Sequence, residues 1–129
     1  MTHNLPYFQK ILALISFSFL MFLGVHLQAQ IVISEFSAAN QGDFNSFNDD
    51  NDDWIELHNK SSNAISLDGW HITDNEFNIT KFTIPVGTSI PANGYVIIWA
   101  DEDSGQGNLH ANFKLNGSGE SLILFNGIL

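Results

Sequence analysis

Asp53-Trp54-Ile55-Glu56-Leu57-His58-Asn59 and, a few residues later, Ile65-Ser66-Leu67-Asp68-Gly69-Trp70-His71-Ile72 decide how this chain reads. In each stretch apolar or β-branched residues alternate with polar ones, the period of a half-buried strand. Lys60-Ser61-Ser62-Asn63-Ala64 separates them, so the two stretches are expected to form a hairpin at the centre of the domain. Asp68-Gly69 predicts a bulge or bend that lets Leu67 and Trp70 both face inward.

Upstream, Gln30-Ile31-Val32-Ile33-Ser34-Glu35-Phe36 reads as a first strand, followed by a long polar run through residue 53. Gly, Asn and Asp in that run favour turns through side-chain to backbone bonds, so it is expected to be a surface loop. Downstream, Lys81-Phe82-Thr83-Ile84 reads as a short strand ended by Pro85, with Asn93-Gly94 marking a turn. Tyr95-Val96-Ile97-Ile98-Trp99-Ala100 is apolar at both parities, which predicts a central strand covered on both faces. Ala111-Asn112-Phe113-Lys114-Leu115 and Glu120-Ser121-Leu122-Ile123-Leu124-Phe125 predict a further strand pair around residues 116–119. Beyond the amino-terminal segment no stretch holds a helical period, so the expectation is an all-β domain of about seven short strands.

The first 29 residues carry a different signal. Residues 11–25 form an apolar to weakly polar run, preceded by Lys10 and followed by Leu27-Gln28-Ala29. This is the pattern of a secretory signal peptide cleaved after Ala29, which leaves residues 30–129 as the mature domain. An uncleaved anchor is the alternative, although the run falls short of the roughly 20 residues that a spanning helix needs. With 129 residues in all, the chain has length for one domain.

Removing Lys10 leaves three lysines, no arginine and all 14 acidic residues, a net charge of −11. Such a surface repels phosphate backbones and anionic headgroups, and no guanidinium is present to grip either. Nucleic acid is therefore disfavoured as a partner, and so is direct binding to an anionic membrane surface; no membrane insertion is expected after leader cleavage. The chain has no cysteine, so stability rests on packing and the mature amino terminus carries no thiol for lipid attachment. Localisation is expected to be secreted or at the cell surface.

Several blocks together resemble the lamin tail domain family. They are Ile33-Ser34-Glu35-Phe36, then Asp53-Trp54-Ile55-Glu56-Leu57-His58-Asn59, then Leu67-Asp68-Gly69-Trp70. The likeness continues through Phe82-Thr83-Ile84-Pro85, Pro91-Ala92-Asn93-Gly94-Tyr95, His110-Ala111-Asn112-Phe113-Lys114-Leu115 and Gly119-Glu120-Ser121-Leu122. The blocks stand in family order over the whole mature chain. The resemblance implies an immunoglobulin-like β-sandwich without catalytic residues. An exported, cysteine-free chain resembles the bacterial branch, in which the domain accompanies extracellular proteins and often adjoins hydrolases. The family's closing strands have no counterpart before Leu129, so the sandwich is expected to lack its closing C-terminal strands and to be the amino-terminal part of a larger exported protein. The expected role is an adhesion or scaffold module with a protein or cell-surface partner. The rival expectations are a calcium- or carbohydrate-binding module, or an accessory domain of a hydrolase encoded downstream.

One stretch gathers ligand chemistry. Asp43, Asn45, Asn48, Asp49, Asp50, Asn51, Asp52 and Asp53 supply hard oxygens at a density that suits calcium, which takes six to eight oxygens. Asp43, Asn45, Asp49, Asp50, Asp52 and Asp53 are the candidate ligands. The spacing does not match an EF-hand, and charge runs are more often solvated surface. No cofactor other than that calcium is expected. His58, His71 and His110 lack zinc-ligand spacing and read as surface or hairpin residues. Gly117-Ser118-Gly119 is no nucleophile elbow. Glu35 and Glu56 have the chemistry of a glycosidase pair but read as solvent-facing or strand-end residues. Trp54, Trp70, Trp99 and Tyr95 have the makings of a sugar platform, yet the reading preferred is core packing, with Trp54 sharing strand parity with Glu56 and His58.

Overall fold

The computed structural model describes residues 29–40 and 51–127. Among them are nine strands and no helix: β1 (Ile31–Ser37), β2 (Asp53–Asn59), β3 (Ile65–Ser66), β4 (His71–Thr73), β5 (Phe82–Thr83), β6 (Ser89–Ile90), β7 (Tyr95–Ala100), β8 (His110–Ala111) and β9 (Ile123–Phe125). The three longest, β1, β2 and β7, are those whose alternation is clearest in the sequence. They line up as β1-β2-β7-β8 in one sheet, while β5-β4-β9 forms the second and β3-β6 a small ribbon. The two sheets make the immunoglobulin-like sandwich that the sequence blocks imply.

The expected hairpin between residues 53–59 and 65–72 does not form. β2 pairs with β1 and β7, whereas β3 pairs with β6, and β4 with β5 and β9. The chain crosses between sheets after Asn59 because that side chain ties the crossing down. Its Nδ2 donates to the Asn63 carbonyl at 2.7 Å and to the Ile90 and Pro91 carbonyls at 3.0 Å each. Its Oδ1 accepts from the Ser61 amide at 2.9 Å and hydroxyl at 2.8 Å. Asn59 is fully buried, so these bonds meet the requirement that buried polar groups be paired. The second expected pair also separates: β8 runs parallel to β7 in the first sheet, while β9 joins β4 in the second.

Leu67 and Trp70 do turn inward. Trp70 N donates to the Leu67 carbonyl at 3.0 Å, closing a turn in which Gly69 has φ +76°. Leu67 is fully buried and Trp70 packs against the core.

The core lies between the sheets. Ile31, Ile55, Leu57, Ile98, Ala100 and Ala111 enter it from the first sheet and Ile72 from the second, with Phe82 and Leu124 packed alongside. In β1 the register slips between Ile33 and Glu35, so Ser34 is an extra residue. A bulge of this kind reverses parity. Ile33 stands opposite Leu57 before it, and Phe36 opposite Ile55 after it. All four therefore face the core side. The expected covering of β7 on both faces is half realised, because its outer row of Tyr95, Ile97 and Trp99 is not part of the core and Tyr95 is 55% exposed.

Candidate functional site

Asp43, Asn45, Asn48, Asp49 and Asp50 lie outside the described residues, so the candidate calcium loop is represented by its last members. Asp53, at the start of β2, is committed to backbone. Its Oδ1 accepts the Ala39 amide at 2.7 Å and the Asn40 amide at 3.4 Å, and its Oδ2 accepts the Leu115 amide at 3.1 Å. Hydrogen bonds from amides to a carboxylate are among the stronger ones. They join three distant segments, and they help hold Ala39 in the left-handed region at φ +59°. Asp52 differs. Its Oδ2 is buried and has no hydrogen-bond donor among the described residues, while its carbonyl accepts from Asn40 Nδ2 at 3.1 Å. Among the described residues no three His, Asp or Glu side chains converge on one point.

The histidines divide. His58 stacks on Tyr95 with ring centres 4.2 Å apart, and His71 Nδ1 lies 3.0 Å from Thr83 Oγ1. His110 departs from the surface role expected of it. It is 8% exposed, and its Nδ1 is hydrogen bonded to Asp101 Oδ2, whose residue is 6% exposed. Asp101 Oδ1 accepts the Asp103 amide at 2.9 Å. The pair ties the loop after β7 to β8, where His110 also stacks on Trp99. Burial of a paired His and Asp side by side satisfies both without a solvent-facing reactive atom on the carboxylate.

The aromatic residues separate as well. Trp70 belongs to the core, as expected, whereas Trp54 and Trp99 stand opposite one another on the outer face of the first sheet with Tyr95. Core packing is thus corrected for Trp54, Trp99 and Tyr95. The physical reason is register: β2 turns Ile55, Leu57 and Asn59 inward, and this sends Trp54, Glu56 and His58 out. Glu35 and Glu56 stand directly opposite on that outer face, and Ser34 Oγ donates to Glu56 Oε1 at 2.6 Å.

The feature that sequence reading missed is a groove at the end of the sandwich that holds Asp53. An open cavity of about 80 Å³ lies there, bounded by Phe36, Ala38, Leu115 and Leu122 with Glu120 at its rim. Phe36 is on the core side of β1 yet 56% exposed. The available signal is the break in alternation at Ser34-Glu35-Phe36, where strict parity would turn the glutamate inward and the phenylalanine outward. The groove walls are fixed by Asp53, through the amides of Ala39 and Leu115.

In comparisons with known proteins, no curated protein and no solved structure matches the chain. The family model described as Lamin Tail Domain matches residues 25–128. The sandwich and its strand blocks agree with that match, and the chain belongs to the lamin tail domain family.

Proposed function

We propose that this chain is a non-catalytic interaction module, exported from the cell and acting outside it as a scaffold or adhesion domain. One observation carries the reading: within a lamin tail fold, buried and half-buried polar side chains at the ends of the strands are committed to holding the fold together. Asn59 binds five backbone or hydroxyl groups, Asp53 three amides, and Asp101 its His110 partner. Groups so engaged are structural, whereas catalytic groups must meet a substrate. The acidic composition, with a formal charge of −10 for the whole chain, supports solubility outside the cell and protein partners in place of nucleic acid.

Export is tested by the mass of the amino-terminal peptide of the protein recovered outside its producing cells, which is expected to begin at Gln30 with residues 1–29 removed. Retention of those residues on protein kept inside would overturn it. Interaction is tested by crosslinking the tagged chain on the surface of those cells, where reproducible crosslinked species are expected. A chain that stays uncrosslinked, or that hydrolyses ester, phosphodiester or glycoside probes, would contradict the reading.

A second reading is calcium binding by the acidic loop, favoured by the buried Asp52 Oδ2, which has no donor among the described residues. A cation beside it would relieve the cost of an uncompensated buried carboxylate oxygen. An ion that binds only the folded chain must raise its melting temperature. Calcium is expected to raise it and chelator to reverse the rise; an unchanged transition would remove this reading.

A further inference from the structure

The first sheet ends at β1, which among the described residues pairs with β2 alone. An unpaired strand edge offers amides and carbonyls to any extended chain laid beside it. The same strand brings Phe36 to the mouth of the groove, on the core side but 56% exposed. A large aromatic at that parity is expected to be covered, since the other inward positions on β1, β2 and β7 are buried or half-buried: Ile31 is 4% exposed, Ile55 and Leu57 are fully buried, and Ile33 and Val96 are half-buried.

The size of the groove narrows its occupant. At about 80 Å³ it is far below the roughly 300 Å³ at which small-molecule pockets begin. It has room for one or two apolar side chains. Charge narrows it further. Glu35 and Glu56 are directly opposite across β1 and β2, an arrangement that costs stability until a cation stands beside it. Glu120 lines the groove and keeps its Oε1 on the Asn116 amide at 2.6 Å. A second copy of this chain fits poorly, because edge-to-edge pairing of β1 would bring together two molecules that each carry a strong net negative charge.

Resting on the interaction-module reading, we propose that the β1 edge and the groove beside Phe36 capture an extended segment of a partner protein, apolar and basic in alternation. The segment adds as a strand to β1. Its apolar side chains fill the space between Phe36, Leu115 and Leu122, and its lysine or arginine side chains meet Glu35 and Glu56. This is recognition by strand addition, in which main-chain hydrogen bonds give affinity and pockets for alternate side chains give selectivity.

The probe is a synthetic peptide of about ten residues, the length of a long strand, alternating lysine with valine or leucine. Binding to the purified chain is followed by calorimetry at near-physiological salt. Three comparisons carry the test: the same peptide with glutamate for lysine, the peptide N-methylated at alternate amides, and the chain carrying Phe36→Ser. Phe77→Ser is the control for losing an exposed phenylalanine elsewhere, since Phe77 is 91% exposed on a different loop. Expected results are binding of the lysine peptide, none of the glutamate peptide, and a loss of about tenfold or more, the scale of one interface anchor, for both N-methylation and Phe36→Ser. Phe77→Ser is expected to leave binding unchanged. Binding indifferent to Phe36 and to N-methylation would reduce the effect to charge attraction and overturn the proposal. Absence of binding would overturn it too, as would sedimentation showing self-association lost in Phe36→Ser, which assigns the groove to a second copy. If surface crosslinks persist in Phe36→Ser while peptide binding is absent, the groove fails and the interaction-module reading stands.

Discussion

The two ends of β2 are pinned by polar side chains, and the molecule is closed at one end and open at the other. At Asn59 a buried amide draws together the crossover loop and the segment after β6, and Ile31 opposite it is 4% exposed. At Asp53 a carboxylate draws together the loop after β1 and the segment after β8, and Phe36 nearby is 56% exposed. Both devices satisfy backbone groups that lack a strand partner. The difference is that Ile31, Leu57 and Ile90 beside Asn59 are buried, whereas the Asp53 end keeps a groove. One end holds the fold together and the other offers a surface.

Substitutions that separate these roles follow in order of size. Asn59→Ala leaves three carbonyls and the Ser61 amide without their partner in a buried site, and should cost about 3 kcal/mol or more. At several degrees per kcal/mol for a domain of this size, thermal unfolding should show a fall in melting temperature of at least about 12 °C. A fall of a few degrees would mean that water replaces the amide and that the closed end is not closed. Asp53→Ala removes three amide contacts from a less buried site. The expected loss is about 2 kcal/mol in a denaturant titration, together with weaker binding of the basic peptide, since Ala39 and Leu115 are released. Stability lost without any change in binding would separate Asp53 from the groove.

Gly127→Ala tests a contact away from both ends. A Cβ there would lie 2.4 Å from the Gly69 carbonyl oxygen, in a backbone conformation at φ +74° that side chains disfavour. A cost of about 1–2 kcal/mol is expected from thermal unfolding; a neutral result would show that the turn after β9 does not pack on the Leu67–Trp70 turn. The smallest effect belongs to Phe36→Ser. Because the ring is more than half exposed, stability should change by no more than about 0.5 kcal/mol. A loss of several kcal/mol would make Phe36 a core residue and close the open end.

The sequence made the strands legible and their partners not. Alternation marks which face a residue occupies, so it locates β1, β2 and β7 to within a residue of their ends. It carries no information about which strand lies alongside. The hairpin expected between residues 53–59 and 65–72 therefore became a crossing between sheets, decided by five hydrogen bonds to Asn59 that no pattern announces. His110 looked like a lone surface histidine because its partner Asp101 comes nine residues earlier, across a loop that folds back. Trp99 sits in an apolar run that points to the core, whereas pairing with β2 fixes it opposite Trp54 on the outer face. The groove was hidden by one inserted residue, Ser34, which reverses the parity of Phe36. Of the candidate calcium ligands, the structure places Asp52 and Asp53, and gives them different work: Asp53 holds backbone amides and Asp52 has a buried oxygen without a donor among the described residues.

The contrast between the two ends is tested most directly by native-state hydrogen exchange along β1 and β2 at increasing denaturant. Regions that open only with the whole domain show strong denaturant dependence, and regions that open locally show little. Hydrogen-bonded amides around Ile31–Ile33 and Leu57–Asn59 should exchange only by global unfolding. Those around Glu35–Ser37 should exchange by local opening, several kcal/mol below the global limit. A single uniform protection along β1, with Glu35–Ser37 as slow as Ile31–Ile33, would contradict an open end beside Phe36.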